Sequence, residues 1–340
     1  MRLPRRRFLR LTAGAAAFPA VARIARAQDY PARPITMIVP FPAGGPNDTL
    51  GRIMAERMRT TLGQPVIVEN VSGANGTIGV GRVARAQADG YTIGVGTWAT
   101  HVVNGAIYAL PYDTVRDFEP LVLLATSAPL LVGRVTLPAN NLKELIAWLK
   151  ANPDKTTMGT VGPGSPPHVA GIALQNLTDT RFRFVPYRGT APALQDMIAG
   201  QIDLVIDSPV QSLPQARAGK IKAYAVLGQD RYPSAPDIPT TDDAGLPGFH
   251  LTVWNALWAV KGTPKDIINK LNAAAVETLA DPAVQKRFGE LGQNIPPRAQ
   301  QTPEALGGRE VLRLVFPAVH LDDGDLHLGL LVSSFAAERP

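Results

Sequence analysis

The chain has no cysteine. That excludes disulfides, thiolate metal sites and cysteine nucleophiles. It has no acid before residue 28, where seven of its 34 Lys+Arg lie, all of them arginine. Removing those seven leaves 27 bases against 28 acids, a net charge of −1. The basic balance therefore belongs to the first 27 residues. The remainder lacks the basic footprint that nucleic-acid or membrane-surface binding needs, and no nucleic-acid partner is expected. Past that leader no apolar run approaches the roughly 20 residues of a membrane span. The five histidines (101, 168, 250, 320, 327) show no metal-ligand spacing. "GANGTIG" (73–79) is G-x-x-G-x-x-G, which is not the dinucleotide fingerprint, and no nucleotide P-loop is present. "GPGSPPH" (162–168) lacks the second glycine of a nucleophile elbow. No catalytic set, metal or cofactor is expected.

What is present begins with that leader. "RRRFLR" (5–10), the mildly apolar "LTAGAAAFPAV" (11–21) and the small-x-small triplet Ala25-Arg26-Ala27 have the parts of an export signal. Paired arginines before Phe8-Leu9 fit the twin-arginine type, with a Sec signal or a basic anchor as the alternatives. Residues 1–27 are expected to be removed near Ala27, leaving a periplasmic protein. About 310 residues then remain, too many for one typical core, so two domains are expected.

Strand-like and amphipathic runs alternate along the chain. "ITMIVPF" (35–41) precedes a helical pattern over 49–63, where Leu50, Ile53, Met54, Met58 and Leu62 share a face. Further pairs follow: strand 65–70 with helix 76–87, then strand 91–98. Helix 141–151 leads to strand 156–160 and helix 167–177. Strand 182–187 leads to helix 191–199, and strand 202–207 to helix 211–218. Strands 221–227 and 250–260 and helix 264–280 complete the series. Repeated βα units with near-continuous apolar strands predict an α/β fold with parallel sheets covered on both faces. Two long apolar runs, 118–134 and 249–262, predict a two-segment hinge between two lobes. The lobes are expected at 28–128 plus 252–306 and at 129–251, with ligand in the cleft at the strand carboxyl ends.

One loop at such an end is "VPFPAGGPNDTL" (39–50). Prolines 40, 42 and 46 fix the backbone, and Gly44 and Gly45 let a ligand approach the main chain. The following helix turns its unpaired N–H groups toward the loop, with Asn47 or Asp48 as the expected cap. "ENVSGANGTIG" (69–79) repeats the arrangement, and Asn75 adds an amide that donates and accepts. Two such loops can grip a small anion without arginine. The alternative is that each glycine pair only makes a tight turn.

The segments "VPFPAGGPND", "ENVSGANGTIG", "GTVGPGSPPHVAG", "VPYRGTAPALQDMIAGQID", "AGLPGF" and "KGTPKDIINKLN" follow one another in order. Over roughly 29–306 the chain resembles the periplasmic solute receptors of tripartite tricarboxylate transporters, the Bordetella uptake gene receptors. The resemblance implies a type II periplasmic-binding-protein fold: two doubly wound sheets joined by a two-segment hinge. It implies no enzymatic activity, a small carboxylate ligand, membrane transporter subunits as partners and a monomer. An exported sensor for a signalling partner and a carboxylate-processing enzyme are the alternatives.

Carried onto this sequence, the ligand contacts are Phe41, Ala43, Gly44 and Asp48 from the first loop and Ala74, Asn75 and Gly76 from the second. The other lobe supplies Ser165, His168, Tyr187, Arg188 and Asp207. Each has a plainer alternative: a helix cap for Ser165, a structural role for His168, wall packing for Tyr187 and an exposed ion pair for Arg188. Asp207 either orients a ligand amino group or water, or caps the next helix. Thr97, Thr100 and His101 also border the expected cleft. Trp98, Trp254 and Trp258 read as core or hinge packing. Residues 307–340 depart from the family, with no helical period beyond Leu314 and an interruption at Pro317.

Overall fold

A computed structural model describes residues 30–307. The expected export signal and all of the atypical tail beyond Gly307 lie outside the described residues.

The first half opens β1 (Ile35–Val39), α1 (Pro46–Leu62), β2 (Val66–Asn70), α2 (Thr77–Ala84) and β3 (Thr92–Thr97). The short α3 (Asn104–Ile107) precedes β4 (Phe118–Ser127) and β5 (Leu130–Arg134). The second half carries α4 (Leu142–Ala151), β6 (Thr157–Thr160), α5 (Pro166–Thr178), β7 (Arg183–Pro186) and α6 (Thr190–Ile198). It continues with β8 (Leu204–Asp207), α7 (Pro209–Arg217) and β9 (Ile221–Val226). The chain then returns through β10 (Val253–Val260), α8 (Lys265–Ala280), α9 (Pro282–Glu290) and α10 (Pro303–Gly307).

These strands make two sheets, ordered β2-β1-β3-β10-β4 and β7-β6-β8-β5-β9. Both follow one plan. Three strands run parallel, and the fourth enters antiparallel. That fourth strand, β10 in one sheet and β5 in the other, is the one the chain uses on arrival from the opposite sheet. The expectation of parallel sheets is thus corrected to mixed ones. An unbroken apolar strand reports burial on both faces and carries no information about direction.

The chain crosses between sheets twice. The run 118–134 breaks at Pro129 into β4 and β5, one in each sheet. The return runs from β9 to β10. Tyr232, on that return, clamps the first crossing: its hydroxyl donates to the Ala128 carbonyl and accepts the Ala128 N–H at 2.9 Å.

The α1 pattern works as its spacing predicts. Leu50, Met54, Met58 and Leu62 are buried against β1, β3 and α8 in one apolar core. The helix starts three residues earlier than expected, at Pro46, whose fixed φ suits a first helical position. A second core fills the other half around Leu131, Leu145, Met158 and Leu204, and it also takes in Trp98 and Trp254 from the first. The lobes touch across the cleft, where Gln211 Nε2 donates to the Gly44 carbonyl at 3.1 Å. Tyr108 likewise donates to the Pro163 carbonyl at 3.0 Å.

Candidate ligand-binding site

A cavity of about 90 Å³ lies between the lobes. A cavity needs roughly 10–15 Å³ to hold a single water, so this one has room for several waters or a small solute in their place. Its wall on the first lobe includes Phe41, Gly45, Asn47, Asn75, Thr97 and Asn255. On the second lobe Val161, Gly189, Thr190, Ile206, Asp207 and Ser208 face them. Trp98 and Trp254 line it too, so the tryptophans read as packing serve as wall as well.

The first turns of α1, α5, α6 and α7 all border the cavity, through Pro46, Pro166, Thr190 and the Ser208 cap. Each turns the positive end of a helix dipole toward the cavity, but α5 and α7 begin with prolines 166, 167 and 209, which carry no N–H, and their next N–H groups bond to Ser165 and Ser208. No lysine, arginine or histidine lines the cavity, and Asp207 is its one charged side chain among the described residues. The electrostatics thus come from backbone, the arrangement that receives a small anion without a side-chain cation.

The opening loop is held by Asp48, in a way the sequence reading missed. Neither Asn47 nor Asp48 caps α1; Gly45 stands at the cap position. Asp48 Oδ2 accepts the Gly44 N–H at 2.8 Å and Arg52 Nε at 2.9 Å. Its Oδ1 accepts Asn70 Nδ2 at 3.0 Å, and the same amide also donates to the Phe41 carbonyl at 3.1 Å. Burial pushes the Asp48 carboxyl up, but the Arg52, Gly44 and Asn70 hydrogen bonds outweigh it and hold it below the usual range. Asp48 therefore fastens the loop onto α1 and β2 and is absent from the cavity lining.

Gly44 has φ +76°, and a Cβ there would meet nothing within 4 Å. Glycine is required at 44 by its backbone angle, while Gly45 is the glycine at the cavity. Ala43 is exposed and outside the lining.

The second loop is strained. Ala74 and Asn75 sit at φ 45° and 50°, in the left-handed region that non-glycine residues avoid. A Cβ on Gly76 would lie 2.8 Å from Thr100 Cγ2. Asn75 and Asn104 lock this turn: Asn75 Nδ2 donates to Asn104 Oδ1 at 2.9 Å, and Asn104 Nδ2 donates to the Asn75 carbonyl at 3.0 Å. Of this loop Asn75 reaches the cavity; Ala74 and Gly76 stand behind it.

On the second lobe most expected contacts hold the wall from outside. Ser165 occupies the α5 cap position without a side-chain cap bond. Its hydroxyl accepts the Val161 N–H at 3.2 Å and donates to the Gly162 carbonyl at 2.7 Å. The His168 ring packs edge-on to Phe184. Tyr187 donates to Asp196 Oδ2 at 2.8 Å, and Arg188 is exposed. None of these four lines the cavity. The reason is geometric: prolines 166 and 167 and Gly189 occupy the positions that face inward.

Asp207 differs from them. It is 1% exposed at the end of β8, and Ser212 on α7 donates to its Oδ2 at 2.7 Å. Its Oδ1 has no hydrogen-bond partner among the described residues. Burial drives its pKa up to about 6, against the opposing pull of Ser212, Thr190 and the Ser208 amide. Ser208, not Asp207, caps α7.

Thr97 lines the cavity, with its N–H donated to Thr100 Oγ1 at 2.8 Å. Thr100 and His101 lie behind it. His101 stacks on Trp258 with ring centres 4.6 Å apart, and burial drives its pKa down to about 3. The sequence reading missed Asn47, Asn255, Thr190 and Ser208. Asn47 Nδ2 donates to Asn255 Oδ1 at 2.6 Å, over 208 positions of sequence. No local signal marks Asn255, which is one residue of an apolar strand. Thr190 carried a signal, a small polar residue opening a helix directly after a strand.

The family model for the tripartite tricarboxylate transporter family receptor matches residues 50–306. An Agrobacterium vitis protein described as a UPF0065 protein in the TAR-I ttuE-ttuC' intergenic region is 41% identical over 289 residues, 83% of this chain and 82% of its own. MatC of Rhodopseudomonas palustris with bound malate is 39% identical, with a TM-score of 0.78 over 82% of this chain and 95% of that one. An R. palustris protein with adipate is 29% identical, with a TM-score of 0.78 over 91% and 97%. A two-sheet binding-protein fold, a cleft lined by helix N-termini and a match over most of the chain agree: this protein belongs to the tripartite tricarboxylate transporter receptor family and is a solute-binding receptor.

Proposed function

We propose that this receptor captures a small carboxylate in the interlobe cavity and delivers it to the membrane subunits of a tripartite tricarboxylate-type transporter. The observation that carries the reading is a cavity edged by four helix N-termini and free of basic side chains. The carboxylate lies against Asn47 and Asn75, whose main-chain N–H groups and side-chain amides border the cavity. Phe41 and Thr97 close the sides, and Asp207 faces the opposite end. Malate in one relative and adipate in another support the ligand class.

In this reading the leader 1–27 directs export by the twin-arginine route and is cleaved near Ala27. The mature chain works in the periplasm as a monomer. Its lobes are 28–128 with 252–306 and 129–251. Closure on the ligand gives the transporter one closed surface to recognise.

A thermal-shift screen of the purified protein against mono-, di- and tricarboxylates tests the reading. A ligand at a hundred times its Kd adds about 2.7 kcal/mol of stability, which is easily read. A shift with one acid class, lost in Asn75→Ala, is expected. A folded protein that responds to no acid would overturn the carboxylate reading.

A further inference from the structure

The two ends of the cavity are chemically unlike. Amides and backbone at one end suit an anion. At the other stands a carboxylate that is itself fully buried and whose Oδ1 lacks a partner. A buried acceptor left unpaired is costly, and a buried carboxylate more so. The protein relieves it only in part: Ser212 occupies Oδ2, Thr190 and the Ser208 amide lie close by, and no cation lines the cavity.

From this geometry we infer that Asp207 is a specificity-determining subsite, selecting carboxylates that also carry a hydrogen-bond donor, a hydroxyl or an ammonium group. The inference rests on the carboxylate-receptor reading and narrows it. A donor on the solute completes the Oδ1 acceptor at the moment the lobes close. A second, unprotonated carboxylate at the same place would instead meet a like charge in a dry cavity, and one of the two would have to take up a proton. The raised pKa of Asp207 agrees with a group that lacks its counter-charge in the empty protein.

The position also couples recognition to closure. Asp207 directly precedes the cap of α7, and Gln211 in the first turn of that helix reaches Gly44 on the other lobe. Thr190 Oγ1 donates to Gln211 Oε1 at 3.1 Å, so both helices that flank Asp207 share the cross-cleft contact. A ligand donor seated on Asp207 therefore binds at the base of the helix that spans the cleft.

Matched acids test this by calorimetry on the whole protein. Three skeletons are used: propanoate, lactate and alanine; succinate, malate and aspartate; adipate, 2-hydroxyadipate and 2-aminoadipate. Within each set only the group on C2 changes. For the skeleton that binds, the hydroxy or amino member is expected to bind at least about tenfold more tightly than its parent. In Asp207→Asn, which keeps the shape but offers an N–H, the gap should close or reverse, with the parent diacid gaining. The wild-type ranking stands by itself if that variant does not fold. Parents that bind as tightly as their donor-bearing partners, or a gap that survives Asp207→Asn, would overturn the subsite while leaving the receptor reading intact. Binding by no member of any set, from folded protein, would overturn the receptor reading and the subsite with it.

Discussion

The two faces of the cleft solve the same problem with opposite chemistry. The first lobe presents asparagines already engaged with one another, Asn47 with Asn255 and Asn75 with Asn104. Their amides are neutral, so burying three of them and half-burying Asn47 carries no charge penalty, and they are locked in orientation before any ligand arrives. The second lobe presents an acid with one oxygen unmatched. The first face is preorganised, and the second is incomplete until something fills it. The cost of that incompleteness falls on the empty protein and is recovered on binding, which biases the receptor toward the loaded, closed state.

The largest expected effect comes from preventing the faces from meeting. Gly189 has extended backbone that any residue can adopt, but a Cβ there would stand 2.8 Å from Pro42 Cδ on the opposite lobe. Gly189→Val should leave each lobe folded and block closure, at roughly 3 kcal/mol or more. Affinity measured by calorimetry should drop more than about a hundredfold, while the melting temperature of the ligand-free protein barely moves. A large loss of apo stability instead would mean that the residue serves its own lobe.

Acid–base behaviour separates the faces next. Burial raises the Asp207 pKa from 3.8 to about 6, so its unfavourable contribution is absent below about pH 4 and complete above about pH 6. That costs the empty protein about 3 kcal/mol as pH rises. Burial lowers His101 from 6.5 to about 3, which has the opposite sign: its stability is intact above about pH 6.5 and is lost as pH falls. Denaturant unfolding of wild type and Asp207→Asn at pH 4 and pH 7 should show their stability difference changing by about 3 kcal/mol. In the variant the decline toward acid should remain, from His101 and from carboxylates such as Asp48 that are held below their usual range. A pH-independent difference would show that Asp207 is ionised throughout.

A smaller effect probes the neutral face. Asn47→Ala strands Asn255 Oδ1, and a buried acceptor left unpaired costs about 1–3 kcal/mol. Both stability and affinity should fall, and Asn255→Leu in the same chain should restore the stability without the affinity. Restoration of both would remove these amides from ligand recognition. The smallest effect is expected from Gln211→Ala, which removes one exposed cross-cleft bond worth about 1 kcal/mol. Ligand dissociation in stopped flow should speed up a few-fold with association unchanged.

The elements were largely legible because apolar spacing reports them directly. The 3.6-residue period of α1 and the break at Pro129 between two sheet strands both follow from local chemistry. Helix α9 was missed: only Val284 and Phe288 of its nine residues are buried, too sparse an apolar face to register. Sheet direction was misjudged, since burial on two faces looks alike in parallel and antiparallel neighbours.

The site was legible in its loops and much less so in its side chains. Glycine and proline spacing located both loops of the first lobe. Within them the sequence could not tell which residue faces inward, because that depends on backbone angles and on partners far along the chain. Asp48 looked like a contact and is a fastener, held by Arg52 and Asn70. Arg188 looked like a ligand contact and is exposed, because Gly189 takes the inward position. Sequence alone determined the family, the α/β class and the loops that border the cavity, because these rest on periodicity and on residues with unusual backbone freedom. Tertiary structure alone decided that Asn255 would meet Asn47 and that Asp207 would be buried with one oxygen unmatched, because both depend on which segments, distant in sequence, the fold brings together.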